Sequence, residues 1–250
     1  MAERHFTCTA CGKCCYGWLP LTLDEALVHA GRFPLVLVWT PLRQGARAFS
    51  LTARLGTTVR LGKRKEFAVG VVPTSYIPPA LACPALTTDG LCAIQDVKPT
   101  RCRTMPFSAY REEADQRDLL VPRPGWDCDV SAAAPVAYRD KEIVSRQDFD
   151  RERKALLDQA PILRRYADWL LAASPPLMEN LLKMAAKPAG GHVIVNFATL
   201  LPHLPKVDMG DFTAKQAPLM VEFAARTAGI AALTDYHRRY RECAAELGAR

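Results

Sequence analysis

The chain predicts an α+β fold in which a cysteine-rich metal-binding half, holding a small antiparallel sheet, packs on a helical C-terminal half. Three observations carry that prediction. Eight of the nine cysteines fall in two sets within residues 8–128, β-rich runs lie between the sets, and apolar residues take up helical spacing beyond about Val136. We read residues 1–135 as the cysteine-cluster region with its inserted β segment and residues 136–250 as the helical region, joined in one structural unit.

Each element has a local reason. Thr22 predicts the cap of a short helix, with Asp24 and Glu25 well placed at its N-terminus and Gly31 beyond its end. Residues 35–39, 57–61 and 67–72 are β-rich, separated by Gly45, Gly56, Gly62 and the basic run Lys63, Arg64 and Lys65. Pro73, Pro78 and Pro79 are expected to stop regular structure before the second cysteine set. Asp89-Gly90 signals a turn, and Pro99 suits the first turn of a brief helix carrying Arg101, Cys102 and Arg103. Ile162, Leu163, Tyr166, Trp169 and Leu170 keep helical spacing, as do Met178, Leu181, Leu182 and Ala185 after a Ser174-Pro175 start. Residues 187–191 break that run, with Gly190-Gly191 read as a plain turn rather than a phosphate loop. A last helical stretch from Asp211 onward places Leu233, Tyr236, Tyr240, Cys243 and Leu247 on one stripe, which makes Cys243 a core residue.

Composition narrows the function classes. With 250 residues, 49% of them hydrophobic, the chain can bury a sizeable core without covalent staples. The opening MAERHFTCTA holds no apolar targeting stretch, so reduced thiols in the cytoplasm are expected rather than a disulfide framework. No run approaches the roughly 18 consecutive apolar residues of a membrane span. The formal charge of +7 counts every cysteine as neutral. Two four-thiolate sites at about −2 each would lower it to about +3, so much of the basicity reads as balance for metal. The basic residues are also scattered, which argues against a nucleic-acid face. Lys63, Arg64 and Lys65 read as a solvated turn, with contact to phosphate or an acidic partner as the alternative.

The candidate ligands are Cys8, Cys11, Cys14 and Cys15, then Cys83, Cys92, Cys102 and Cys128. The first three follow a C-x2-C-x2-C rhythm that turns three thiolates toward one site, with Gly12 relieving the backbone. Adjacent side chains in an extended segment point opposite ways, so one of Cys14 and Cys15 serves a second site or bridges to the other set. In the second set eight, nine and twenty-five residues separate successive cysteines. These spacings lack paired zinc knuckles and favour a cluster pocket closed by tertiary folding. An iron-sulfur cluster, 4Fe-4S, leads, with zinc as the alternative.

Arg101 and Arg103 flank Cys102, where a guanidinium can donate to cluster sulfur, bind an anionic substrate, or pair with Asp96, Asp127 or Asp129. Asp127 and Asp129 flank Cys128 as oxygen ligands, a base or simple turn caps. His5 lies near enough to Cys8 to replace a thiolate, whereas His29, His192, His203 and His237 lack metal-ligand spacing.

The string Phe6-Thr-Cys8-Thr-Ala-Cys11-Gly-Lys-Cys14-Cys15, with Cys83-Pro-Ala-Leu, Gly90-Leu-Cys92-Ala-Ile and Pro99-Thr-Arg-Cys102-Arg-Thr-Met-Pro-Phe107, resembles the YkgJ-like cysteine-cluster family. The resemblance covers roughly residues 6–128 and implies a zinc- or iron-chelating domain related to flagellin lysine N-methylases. Two positions depart from the pattern. Gln95-Asp96 stands where an aromatic and an acidic residue often follow, and Met105 replaces the usual phenylalanine.

Three functions follow as expectations. The first is an iron-sulfur oxidoreductase or electron-transfer protein with a protein or small-molecule redox partner. The second, implied by the resemblance, is an S-adenosylmethionine-dependent protein lysine N-methylase, against which stands the lack of a nucleotide-binding fingerprint. The third is structural zinc holding a binding surface.

Overall fold

The computed structural model describes residues 3–60 and 66–249. Lys63, Arg64 and Lys65, and the end of the strand expected through Leu61, lie outside the described residues. The N-terminal half runs β1 (Arg4–His5), β2 (Leu19–Pro20), α1 (Leu23–Val28), β3 (Leu35–Arg43), α2 (Phe49–Leu55), β4 (Thr57–Arg60), β5 (Glu66–Ser75) and α3 (Thr100–Thr104). The C-terminal half adds β6 (Val136–Arg139), β7 (Glu142–Ile143), α4 (Gln147–Ala173), α5 (Pro175–Ala186), β8 (Val193–Asn196), α6 (Met209–Thr227) and α7 (Thr234–Gly248).

The fold is α+β, and its sheets are antiparallel. In the main sheet the strand order is β2-β5-β3-β8, with β4 also paired to β5. Its spine is the β3–β5 ladder, in register from Leu35↔Ser75 to Arg43↔Phe67. Residues 35–39 of β3 are buried on both faces, which is why that run is continuously apolar rather than alternating. Tyr166 and Leu163 of α4 reach the core from one element, Phe223 of α6 and Tyr240 of α7 from others. Trp39 meets Tyr166 edge-on at 5.7 Å between ring centroids.

Several expectations need correction. β8 comes from the C-terminal half, yet pairs with β3 from Val36↔Asn196 to Trp39↔Val193. Its Val193-Ile194-Val195 run is β-branched, and what makes it a strand of this sheet is its pairing with β3, more than 150 residues away in the chain. Likewise β1 pairs with β6 and β6 with β7, so regular helix starts at Gln147 rather than near Val136. The stretch between Gly45 and Gly56, left without an element by its composition, holds α2, whose Leu51 and Leu55 enter a second core with Phe107, Leu120, Tyr138 and Phe149.

Pro73 does not end β5. Its carbonyl accepts from Leu21 N at 2.9 Å, so its nitrogen faces the β2 side and costs the β3 ladder no donor. The last helical stretch, expected from Asp211 onward, is split into α6 and α7 by a break at Gly229, φ +72°, and Tyr236, Tyr240, Cys243 and Leu247 of its stripe all lie on α7.

Other local signals hold. Thr22 and Glu25 form a reciprocal capping box on α1, a feature worth about 1 kcal/mol. Ser174 caps α5 by accepting from Leu177 N. Arg164 of α4 donates to the carbonyls of Gly56 at 2.9 Å and Arg54 at 2.8 Å, closing the C-terminus of α2.

Gly56 lies so close to β5 that a Cβ there would stand 2.1 Å from the Val69 carbonyl oxygen. Gly56→Ala is therefore expected to force backbone apart and cost about 2–3 kcal/mol. Urea denaturation checks this, and a change near zero would count against the close approach.

Candidate metal centre

The two cysteine sets are interleaved rather than separate. Thr7 N donates to Asp129 O at 2.8 Å and Asp129 N to Thr7 O at 3.0 Å, which sets Cys8 beside Cys128. Thr9 Oγ1 adds a bond to the Asp127 carbonyl at 2.9 Å. Six residues beyond Thr9, Cys83 N donates to Cys15 O at 2.7 Å, joining the other end of the first set to the start of the second. A short bridge between Leu86 and Cys92, with Ala93 N on Ala85 O at 2.8 Å, folds Cys92 back toward Cys83.

The turn in that fold-back is Asp89-Gly90, as expected, with Gly90 at φ +82°. Gly12, at φ +70°, rests on it. A Cβ on Gly12 would sit 3.3 Å from the Gly90 oxygen and from a Leu86 methyl, so glycine serves both the tight turn and the close approach.

Charge effects follow the same geography. Burial raises Cys128, and Cys11, Cys8 and Cys14 are the thiols that push it further. Main-chain hydrogen bonds at Lys13 and Asp127 lower Cys11. The hydrogen bond between Cys14 and Cys15 holds Cys14 as the more acidic partner and raises Cys15. Lys98 and Arg101 also favour the Cys14 thiolate, while Cys83 and Cys102 disfavour ionisation of Cys15. Burial lifts Cys83 and pushes Cys102 up to about 12. Thiols held up this way release their protons when a metal binds.

Cys102 reaches the site on α3, which is anchored by Glu25. One carboxylate oxygen of Glu25 accepts from Thr22 N at 2.9 Å and the other from Thr100 N at 2.6 Å, tying α1 to α3. The S/T-x-x-E spacing announces the first bond but not the second. Glu25→Ala is expected to loosen α3 and weaken metal retention about tenfold, as loss of a supporting hydrogen bond typically does. Competition with a chelator measures it, and unchanged retention would rule out the anchor.

The two arginines diverge. Arg103 is exposed and donates to the main-chain carbonyls of Lys98 at 3.1 Å, Gln95 at 3.2 Å and Asp96 at 2.8 Å. Arg101 turns inward, bonding the Phe107 carbonyl and Met105 sulfur and lying 3.9 Å from the buried Glu152 carboxylate. Neither has an ion pair with Asp96, Asp127 or Asp129 among the described residues. Asp129 caps a turn at Ser131 N, 2.9 Å away. His5 Nδ1 bonds the Ala134 carbonyl at 2.7 Å, a structural use on β1. Cys243 is buried in the core of α7, far from the sets in the chain and without a place in the cysteine loops.

Cys14, Cys15, Cys83, Cys92 and Cys102 line a cavity of about 710 Å³, together with Lys98 and Arg101. Cys8, Cys11 and Cys128 are not among its walls. All nine cysteines are free thiols. As the side chains stand, no three Cys, His, Asp or Glu groups among the described residues meet at a single ion position. The donor set nevertheless fits a thiophilic metal: soft sulfurs on adjoining loops, main-chain pairing that fixes those loops, and the cations Lys98 and Arg101 beside Cys14. Among the described residues no helix is long and apolar enough to cross a membrane.

Comparison with family models, with curated proteins and with solved structures returned no match.

Proposed function

We propose that this chain is a cytoplasmic metal-binding protein whose eight cysteines form two four-thiolate sites carrying iron-sulfur clusters, and that it works as a redox enzyme or electron-transfer protein. Cys8, Cys11, Cys14 and Cys128 make the outer site. Cys15, Cys83, Cys92 and Cys102 make the inner one. The observation that carries the reading is the interleaving of the sets, with Thr7 paired to Asp129 and Cys15 to Cys83. The motif string that resembles the YkgJ-like family supports the same reading.

A cluster held by four thiolates accepts and releases an electron at a potential tuned by nearby charge and hydrogen bonds. Here Lys98 and Arg101 would offset the thiolate charge at the inner site, and the apolar cavity walls would limit water. Arg103, bonded to the main chain, holds the loop that bears Lys98.

Protein prepared without oxygen tests the proposal through its iron, zinc and acid-labile sulfide content and its absorption spectrum. Iron with matching sulfide and a broad band at about 400 nm is the expected result. Stoichiometric zinc without sulfide would replace the redox reading with a structural one.

A further inference from the structure

We propose that the cavity beside the inner thiols binds a small organic anion with an apolar or aromatic body, and that this molecule is what the proposed centre acts on. The second clause rests on the metal reading; the binding does not. A volume of about 710 Å³ is that of a small-molecule site, which is typically lined by apolar side chains with a few convergent polar groups. Val71 of β5, Leu163 of α4, and Phe33 and Ile77 beside the sheet supply apolar wall, while Tyr110 and Trp126 add aromatic rings.

Charge selects the ligand's sign. Four cations, Lys98, Arg101, Arg111 and Arg123, line the cavity against a single carboxylate, Asp118. Lys98 and Arg101 neighbour Cys14 and Cys102, and Arg101 also lies 3.9 Å from the Glu152 carboxylate, so both have other anionic groups to face. Arg111 and Arg123 have no ion-pair partner among the described residues. Arg111 stands on the α2 side, where it also borders a smaller hollow with Arg47, Ala48, Glu112 and Asp115. Arg123 is exposed and its Cζ lies over the Trp126 ring at 5.3 Å, a contact that uses the guanidinium's charge but none of its hydrogen-bond donors. An anion bound there would extend its body along the apolar wall toward the thiols. A cation of the same shape would meet uncompensated positive charge.

Three probes of one shape separate these terms: phenylbutyrate, phenylbutanol and phenylbutylamine, titrated into metal-loaded protein by calorimetry. Saturable binding of one phenylbutyrate per chain is expected, with the alcohol at least about fivefold weaker and no binding of the amine. Arg123→Gln should weaken phenylbutyrate about tenfold, Arg123→Lys should restore part of the loss, and metal content should stay unchanged in both. Equal affinity for acid and alcohol, or an Arg123→Gln, Arg111→Gln double variant that binds as the parent does, would overturn the proposal. The visible circular dichroism of the bound metal should change at saturation. Binding without that change would remove the link to the centre, and binding by a chain that holds no metal would overturn the centre while supporting the cavity.

Discussion

Cys11→Ser and Cys128→Ser are each expected to remove about half of the bound metal and sulfide, and the double variant no more than that, because the proposed function puts both thiols in one four-ligand site. Cys92→Ser and Cys102→Ser should remove the other half in the same way. Combining Cys11→Ser with Cys102→Ser should remove all of it. Two sites without shared ligands give additive losses between sites and none within a site, which is the logic of a double-mutant cycle. Cys243→Ser should leave metal unchanged, since that thiol is buried in α7. Metal and sulfide per chain, measured on protein kept free of oxygen, decide the matter. Complete loss in every single variant would mean one shared centre, and equal content in all variants would mean that these thiols hold no metal.

Gln216→Leu is expected to lower stability by about 3 kcal/mol or more. Gln216 is fully buried on α6, where its oxygen accepts from Leu35 N at 2.9 Å and its amide donates to Phe33 O at 2.8 Å and to the Ala30 carbonyl. These groups lead into β3 and open it at Leu35, in a strand paired on both sides. Leucine matches the volume but strands one buried N–H and two carbonyls, each costing about 1–3 kcal/mol when left unpaired. For a chain of this size that is a fall of about 10 °C in Tm. Gln44→Leu, an exposed position before α2, serves as control and should change little. A loss below about 1 kcal/mol would show that water or a repacked side chain satisfies the strand.

How far these features could be read in advance depended on the range of the interaction behind them. Thr22 with Glu25, Ser174 before Pro175, and the Asp89-Gly90 turn are local, and each appears where its residues predict it. The apolar run of β3 was legible because burial on both faces needs a continuous stretch. Pro73 misled because a missing donor matters only on the side where the ladder needs one. For β8 and α2 the deciding contacts come from distant segments.

At the candidate site, eight cysteines and their soft chemistry were open to reading from the chain. Their pairing was not. Cys128 stands beside Cys8, Cys15 beside Cys83, and Glu25 beneath α3 through hydrogen bonds that join residues 68 to 122 positions apart. The same is true of the cavity, whose walls come from the sheet, α2, α4 and the cysteine loops together. Ligand identity is a property of residue type and survives in one dimension. Which ligands share a site is a property of closure, and the chain acquires it when antiparallel pairing and burial bring its ends to the same place.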